Sequence, residues 1–448
     1  MKRTDNQSKF DALRNEFSTF TFEQQTVKLE NGTLSLAFEF NLADRYRFCP
    51  TLEIPARPFF DWDSIPEAQL QALAFQIGMT ELVSYWKIAC PKKVIVKPFT
   101  LTDSQKAFWK KLYYNGLGEF LYLNGISVSE TDLMEIVTLP IDSNPSHIQC
   151  WNDMGSWFEE KTLVPVGGGK DSVVTLECLR NEMPVIPLIV NPRGATLNCV
   201  KTAGYKEDEF IVINRTLDPT MLKLNVEGYL NGHTPFSALL AFISVLVAFG
   251  SKSKYIALSN ENSANESTVP GTNINHQYSK SIEFESDFRN YVAENLNKEV
   301  QYFSFLRPLS ELQIAKLFSQ CEAYHPVFRS CNAGSKTDSW CGKCPKCLFT
   351  WIILSPFLSR EKLTAIFGKD LMADESLRPI LEELNGTATV KPFECVGTVE
   401  EVRACLNVNA KVPEPVEGPT VNEILSRFNN EHFLPEKFEQ ILKNKLYA

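Results

Sequence analysis

The chain is as informative for what it lacks as for what it holds. It has no surplus of basic residues: 45 Lys and Arg stand against 54 Asp and Glu, a formal net charge of −9. General affinity for nucleic acid rests on basic surface, so this balance argues against a nucleic-acid partner but leaves room for a small anionic ligand in a local site. It has no long apolar run either. The most apolar stretch, PFSALLAFISVLVAFG at residues 235–250, is interrupted by Ser237 and Ser244. It falls short of the ~20 residues a membrane span needs and is expected as a buried helix. The opening MKRTDNQSKFDALRNEF lacks the apolar core of a signal peptide, which makes a cytoplasmic enzyme the expectation. Repeats and low-complexity tracts are missing too. What remains, at 44% hydrophobic and 22% charged over 448 residues, has the composition of a globular chain long enough for two or three domains.

Hydropathy patterning divides the chain. STFTFEQQTVKLENGTLSLAFEFNL alternates around Asn31-Gly32, a hairpin signal. IPEAQLQALAFQIGMTELVSYWKIA has helical spacing, KKVIVKPF is strand-like, and SQKAFWKKLYYNGLGEFLYLNGI is helical with a break near Asn115-Gly116. These predict an N-terminal α+β domain over 1–155. From there TLVPV, MPVIPLIV, DEFIVIN, KYIALS and VQYFSFL are candidate strands with helical stretches between most of them. That rhythm predicts α/β architecture, a doubly wound parallel sheet over 156–355 with ligands beyond the carboxyl ends of its strands. Residues 356–448 are expected to be helical, with VPEPVEGP (412–419) as an irregular connector.

Within VPVGGGKDSVV (164–174), three glycines follow a strand candidate and precede a helix candidate. Without Cβ atoms, Gly167, Gly168 and Gly169 let backbone amides approach a ligand, and the unpaired N–H groups opening the helix favour an anion. Lys170 adds charge, Ser172 a hydroxyl, and Asp171 a carboxylate able to hold a divalent metal between phosphates. The bland alternative is a tight turn in which Asp or Ser caps the helix. The Walker spacing G-x-x-x-x-G-K-[ST] is absent. The stretch instead resembles the PP-loop of the N-type ATP pyrophosphatases, Ser-Gly-Gly-x-Asp-Ser, with Gly167 where that motif carries serine. This resemblance implies ATP and Mg²⁺, cleavage between the α and β phosphates, and transfer of AMP to a substrate oxygen.

Of the 12 cysteines, eight are scattered, as suits reduced thiols. The other four, Cys331, Cys341, Cys344 and Cys347, lie in SCNAGSKTDSWCGKCPKC with spacing C-x9-C-x2-C-x2-C. Four thiolates so placed close a tetrahedron around Zn²⁺ and leave no position for water, so a structural zinc is expected over buried free thiols or a redox pair. A similar cluster follows the PP-loop domain of 7-cyano-7-deazaguanine synthase.

Taken in order, YYNGLGEFLYLNG (113–125), VGGGKDS, NGHTP (231–235), LSNENSANES (258–267), NHQYSKSIEFE (275–285), FLRPLSELQIAKLF (305–318), WCGKCPKCLF (340–349) and KPFECVG (391–397) resemble the bacterial UDP-N-acetyl-α-D-muramoyl-L-alanyl-L-glutamate epimerase family. The resemblance, from about residue 70 to about 400, implies an ATP-using isomerase of peptidoglycan synthesis. Its substrates would be ATP and a UDP-muramoyl dipeptide, whose terminal L-glutamate becomes D-glutamate through an acyl-adenylate, releasing AMP and pyrophosphate. Adenylation removes the carboxylate charge and acidifies the neighbouring Cα–H, which a protein base can then take. Besides Asp171, the residues considered for catalysis are Glu261, His276 and Lys280. Glu261 and Glu266 lie in a polar loop expected at the ligand edge, and His276 and Lys280 would share a face if helical. Arg307, after the last candidate strand, is a candidate to pair with phosphate, a surface ion pair being the alternative. Glu119, with Gly116 and Gly118 beside it, and His233 are weaker candidates for ligand contact. The first domain is expected to recognise the UDP-muramoyl part. Rival readings are another PP-loop adenylating enzyme (an amidoligase or nitrile synthase), a tRNA-binding thiolation enzyme supported by Lys336, Lys343 and Lys346, and a nucleotide-binding pseudo-enzyme.

Overall fold

The computed structural model describes residues 3–138, 148, 151, 157–388, 390–408 and 418–447. The expected domain boundary near 155 and most of the connector 412–419 lie outside the described residues. The strands are β1 (Thr19–Glu30), β2 (Thr33–Leu42), β3 (Tyr46–Phe48), β4 (Thr51–Ile54), β5 (Lys93–Val96), β6 (Glu135–Thr138), β7 (Glu159–Pro165), β8 (Val185–Val190), β9 (Ile211–Arg215), β10 (Ser253–Glu261) and β11 (Gln301–Leu306). The chain forms two compact units that interleave in sequence. One comprises Met1–Glu159, Val212–Lys254 and Gln277–Gln301, and the other Glu160–Ile211, Tyr255–His276 and Tyr302–Ala448.

The first unit is built on the predicted hairpin. Asn31 (φ +51°) and Gly32 (φ +75°) make the turn, and β1 and β2 pair antiparallel from Glu30↔Thr33 to Phe20↔Leu42. Two left-handed residues in succession suit the right-handed twist of the flanking strands. The strand order in this unit is β9-β4-β2-β1-β5-β6, with β3 on β2. The sheet is mixed: β1, β5 and β6 run parallel, while β9 lies antiparallel to β4, Leu52↔Arg215 and Glu53↔Asn214. The helix Glu67–Trp86 is buried almost throughout, its polar Gln69, Gln76, Thr80, Glu81 and Ser84 included. Phe75 stacks on Phe22 with centroids 5.7 Å apart, and Tyr85 on Phe40 at 5.5 Å. The apolar run forms helix Phe236–Ser251, buried along nearly its whole length. Among the described residues no helix is long and apolar enough to cross a membrane. The predicted break falls at Leu117, between helices Asp103–Gly116 and Gly118–Leu123. A Cβ on Gly116 would lie 2.8 Å from the Pro235 ring.

The second unit has strand order β11-β10-β7-β8, with β7 and β8 parallel in register Thr162↔Val185. The helices Lys170–Leu179, Gly194–Thr202, Glu311–Ser319 and Pro345–Leu354 follow strands or loops of this unit. The C-terminal part is helical as expected. In its last helix, Glu436–Tyr447, buried Phe438 packs on Tyr255, Phe303 and Phe305, with centroids 5.0, 4.6 and 6.4 Å away. All five predicted strands of the central region form. The class is α/β with mixed sheet pairing, and DEFIVIN, expected in a parallel array, supplies β9 and pairs antiparallel with β4. Periodicity marks a segment as strand without naming its neighbour.

Candidate functional site

β7 ends at Pro165, and the Val166 amide donates to Leu188 O (2.8 Å), so the glycine turn starts from a strand tied to β8. Gly167 is exposed, and a Cβ there would meet nothing within 4 Å. Gly168 is buried at φ +79°; a Cβ on it would lie 2.8 Å from the Thr196 nitrogen and 2.9 Å from the Ala195 carbonyl carbon. Only glycine suits both that φ and that proximity. Gly169 is the N-cap of helix Lys170–Leu179, and no side chain caps this end. The Ser172 hydroxyl donates to Gly169 O (3.0 Å) and the Asp171 carboxylate pairs with Lys170. Neither does the capping that the bland alternative requires.

Lys170 is 3% exposed, with Nζ 2.5 Å from Asp171 Oδ1 and in contact with the Glu311 carboxylate. Burial opposes its charge, but the two carboxylates outweigh burial and hold its pKa above the ordinary lysine value. Glu311 opens helix Glu311–Ser319, whose N-cap Ser310 forms a capping box with Gln313. Burial pushes the Glu311 carboxyl up against the opposing pull of Lys170, and Asp171, Glu261 and Glu401 add to the rise. Two carboxylates on one ammonium leave the turn with surplus negative charge when ionised, an arrangement able to take a divalent cation. Sequence reasoning missed Glu311. The signal was present as the S-x-x-Q box directly after the last strand candidate.

Glu261 ends β10, buried, and its carboxylate accepts from the Ala264 amide (3.1 Å) as cap of a short 3₁₀ turn. Arg307 is fully buried: Nη1 donates to Glu261 O (2.6 Å) and Nη2 to Ser304 Oγ (3.2 Å). Glu266 pairs with Lys391. The His276 amide donates to Thr268 Oγ1 (3.0 Å), which places His276 in the second unit. Lys280 closes a 3₁₀ turn, Tyr278–Lys280, in the first unit. The two do not share an α-helix, because Ser281 caps the helix that begins at Ile282.

In the first unit His233 Nδ1 lies 3.6 Å from Oε2 of buried Glu119, bringing two of the weaker candidates together. The preceding Gly232 carbonyl accepts from Lys87 Nζ (2.5 Å). Burial, then the charge of Arg215, brings the Lys87 pKa down to about 8, against the opposite pull of Cys90 and Glu119. Nothing in the local sequence marked Lys87, whose depressed pKa comes from the body of the fold.

The four clustered cysteines converge. Sγ–Sγ separations are 3.6 Å for Cys331–Cys344, 3.7 Å for Cys341–Cys347 and 3.5 Å for Cys344–Cys347. Metal–sulfur bonds of about 2.3 Å put tetrahedral sulfurs about 3.8 Å apart, so the set fits a Zn²⁺-sized ion, whereas disulfide sulfurs sit at about 2.05 Å. Cys331 and Cys347 are buried, and the Gly334 amide donates to Cys331 Sγ (3.2 Å). Cys344 and Cys347 flank the start of helix Pro345–Leu354, whose dipole favours thiolate.

Residues 11–305 match the family described as MurL N-terminal domain, and residues 327–437 that described as MurL C-terminal domain. The chain belongs to the MurL family. Among its relatives are proteins named UDP-N-acetyl-alpha-D-muramoyl-L-alanyl-L-glutamate epimerase. That of Micromonospora sp. is 34% identical over 91% of this chain and 90% of the relative. Those of Salinispora tropica and Xanthomonas oryzae pv. oryzae are 33% and 32% identical, over 91% and 93% of this chain and 88% and 91% of the relatives. Along the MurL match the glycine turn falls in the N-terminal domain and the four cysteines in the C-terminal one. Arg307 and Glu311 sit between the two matched stretches.

Proposed function

We propose that this MurL chain inverts the terminal L-glutamate of UDP-N-acetylmuramoyl-L-alanyl-L-glutamate to D-glutamate for peptidoglycan synthesis, and that ATP drives the inversion. The observation that carries the reading is the collinear match, at about a third identity over nine tenths of the chain, to relatives named for that reaction. The ATP part is supported by the side-chain-free turn and the helix end that no side chain caps. ATP supplies the adenylyl group: the glutamyl carboxylate displaces pyrophosphate, and water later releases AMP. The remaining chemistry falls to the protein. Gly167, Gly168, Gly169 and the amides of Lys170, Asp171 and Ser172 would seat the phosphates in a PP-loop fashion. Asp171 would hold Mg²⁺, with Lys170 and Glu311 fixing its position. Glu261, His276 and Lys280 are the groups we assign to the Cα proton and the substrate's carboxylates. Arg307, by bonding Glu261 O, orients the loop that carries Glu261. The four cysteines would hold a structural Zn²⁺, residues 1–155 would recognise the UDP-muramoyl part, and residues 356–448 would complete the body that carries the turn.

The test is incubation with ATP, Mg²⁺ and the L-Ala-L-Glu nucleotide in D₂O. Deuterium at the glutamyl Cα together with AMP is expected, and Asp171→Ala should abolish both. Production of ADP, or of AMP without Cα exchange, would reject the reading.

A further inference from the structure

The segment leading into the cysteine cluster reaches the glycine turn. The Arg329 amide donates to Gly168 O (2.8 Å). The Arg329 guanidinium is held by the carbonyls of Phe328 (2.7 Å), Pro326 (2.9 Å) and Asp338 (3.3 Å). Cys331, next but one, is fixed in the sulfur cluster. Ser330 is therefore pinned on both sides. Its Oγ lies 3.0 Å from where a Cβ on Gly169 would stand, with its Cα and Cβ at 3.7 Å. Ser330 thus lays a hydroxyl over the bare face of the residue that caps the phosphate helix. This half-buried side chain makes no hydrogen bond among the described residues. The hydroxyl inside the motif is differently engaged: Ser172 spends its one proton on Gly169 O. A phosphate offers only acceptors, so Ser172, bonded in this way, has no hydroxyl proton left for it.

We infer that Ser330 is a phosphate-binding residue, donating its hydroxyl proton to a phosphoryl oxygen of the nucleotide seated on the glycine turn. It does from a distant segment what a serine at position 167 would do from within the motif. This rests on the reading that the turn binds the nucleotide. It also gives the cysteine module a part in substrate binding, because the module fixes the residue beside Cys331.

The test is calorimetric titration of the full, metal-loaded chain with inorganic pyrophosphate and Mg²⁺. Wild type, Ser330→Ala, Ser330→Cys, Ser330→Thr and the double variant Gly167→Ser/Ser330→Ala are compared, each checked for zinc content and thermal midpoint. Losing one hydrogen bond to a charged acceptor predicts roughly ten- to hundredfold weaker binding for Ser330→Ala. The near-isosteric Ser330→Cys should also bind more weakly, and Ser330→Thr should keep most of the affinity. The double variant should regain part of the loss, since a Cβ at 167 meets nothing within 4 Å. Unchanged affinity in Ser330→Ala and Ser330→Cys would overturn the inference. So would equal losses in the Ala, Cys and Thr variants with no rescue by Gly167→Ser, which would mark a packing role. If wild type binds no pyrophosphate and no ATP, the reading of the turn itself fails.

Discussion

Gly168→Ala probes the turn most sharply. Residue 168 sits at φ +79°, where an L side chain costs about 1–2 kcal/mol. Its new Cβ would lie 2.8 Å from the Thr196 nitrogen and 2.9 Å from the Ala195 carbonyl carbon. Both are backbone atoms at the start of a helix and cannot rotate aside, so overpacking adds about 1–3 kcal/mol. Alanine also restricts the unfolded chain and returns about 0.4–1 kcal/mol. The balance is a loss of about 1–5 kcal/mol. Gly167→Ala is the internal control: nothing lies within 4 Å of its Cβ, so it should be as stable as wild type or up to about 1 kcal/mol more so. Equilibrium urea unfolding of the three proteins, followed by tryptophan fluorescence, measures the difference. A Gly168→Ala variant as stable as wild type, or a Gly167→Ala variant damaged equally, would refute the account of why these glycines are there.

Other expectations concern charge and sulfur. Glu311→Gln leaves Lys170 buried with Asp171 as its remaining carboxylate. It should cost about 1–3 kcal/mol, less than for a fully orphaned buried charge, and reduce AMP formation; unchanged urea midpoint and turnover would remove Glu311 from the turn. Lys87 has its pKa lowered from 10.5 to about 8, first by burial. Its ammonium therefore penalises the fold fully below pH 8, and that penalty is relieved as pH rises from 8 to 10.5, by roughly 3 kcal/mol in all. Lys87→Met should lack this upward slope, so its stability relative to wild type should fall between pH 8 and 10.5; parallel thermal profiles would contradict the shift. Metal analysis should find one zinc per chain in wild type and substoichiometric zinc in Cys344→Ser, with a lower thermal midpoint. A metal-free wild type that is equally stable with and without chelator would discard the zinc assignment.

Local chemistry was legible in the sequence. Asn31-Gly32 gave the hairpin, Asn115-Gly116 the helix break, and the C-x9-C-x2-C-x2-C spacing the convergence of four sulfurs. The glycine turn was found because strand, bare turn and helix are consecutive. What depends on partners far along the chain was hidden. That β9 lies against β4 follows from packing more than 150 residues apart, which alternation does not encode. That Arg307 bonds the Glu261 carbonyl, 46 residues earlier, is likewise not written in the local pattern. The ammonium of Lys170 is balanced by Glu311, 141 residues later, and the Lys87 shift arises from burial that no local pattern announces. His276 and Lys280 have helical spacing, but the helix begins only at Ile282, beyond both, with Ser281 as its cap.

The order in which segments are allotted to the two units bears on how the chain is made. The first unit draws its last piece from Gln277–Gln301, and the second collects Glu160–Ile211 and Tyr255–His276 before that piece has been synthesised. A nascent chain emerging from the ribosome thus holds unfinished portions of both bodies until roughly two thirds of its length is out. Neither can be harvested as a fragment by a single cut, and a nick between 160 and 301 would leave each body in two pieces. Chaperone demand during synthesis, rather than the final stability, is where this threading should tell.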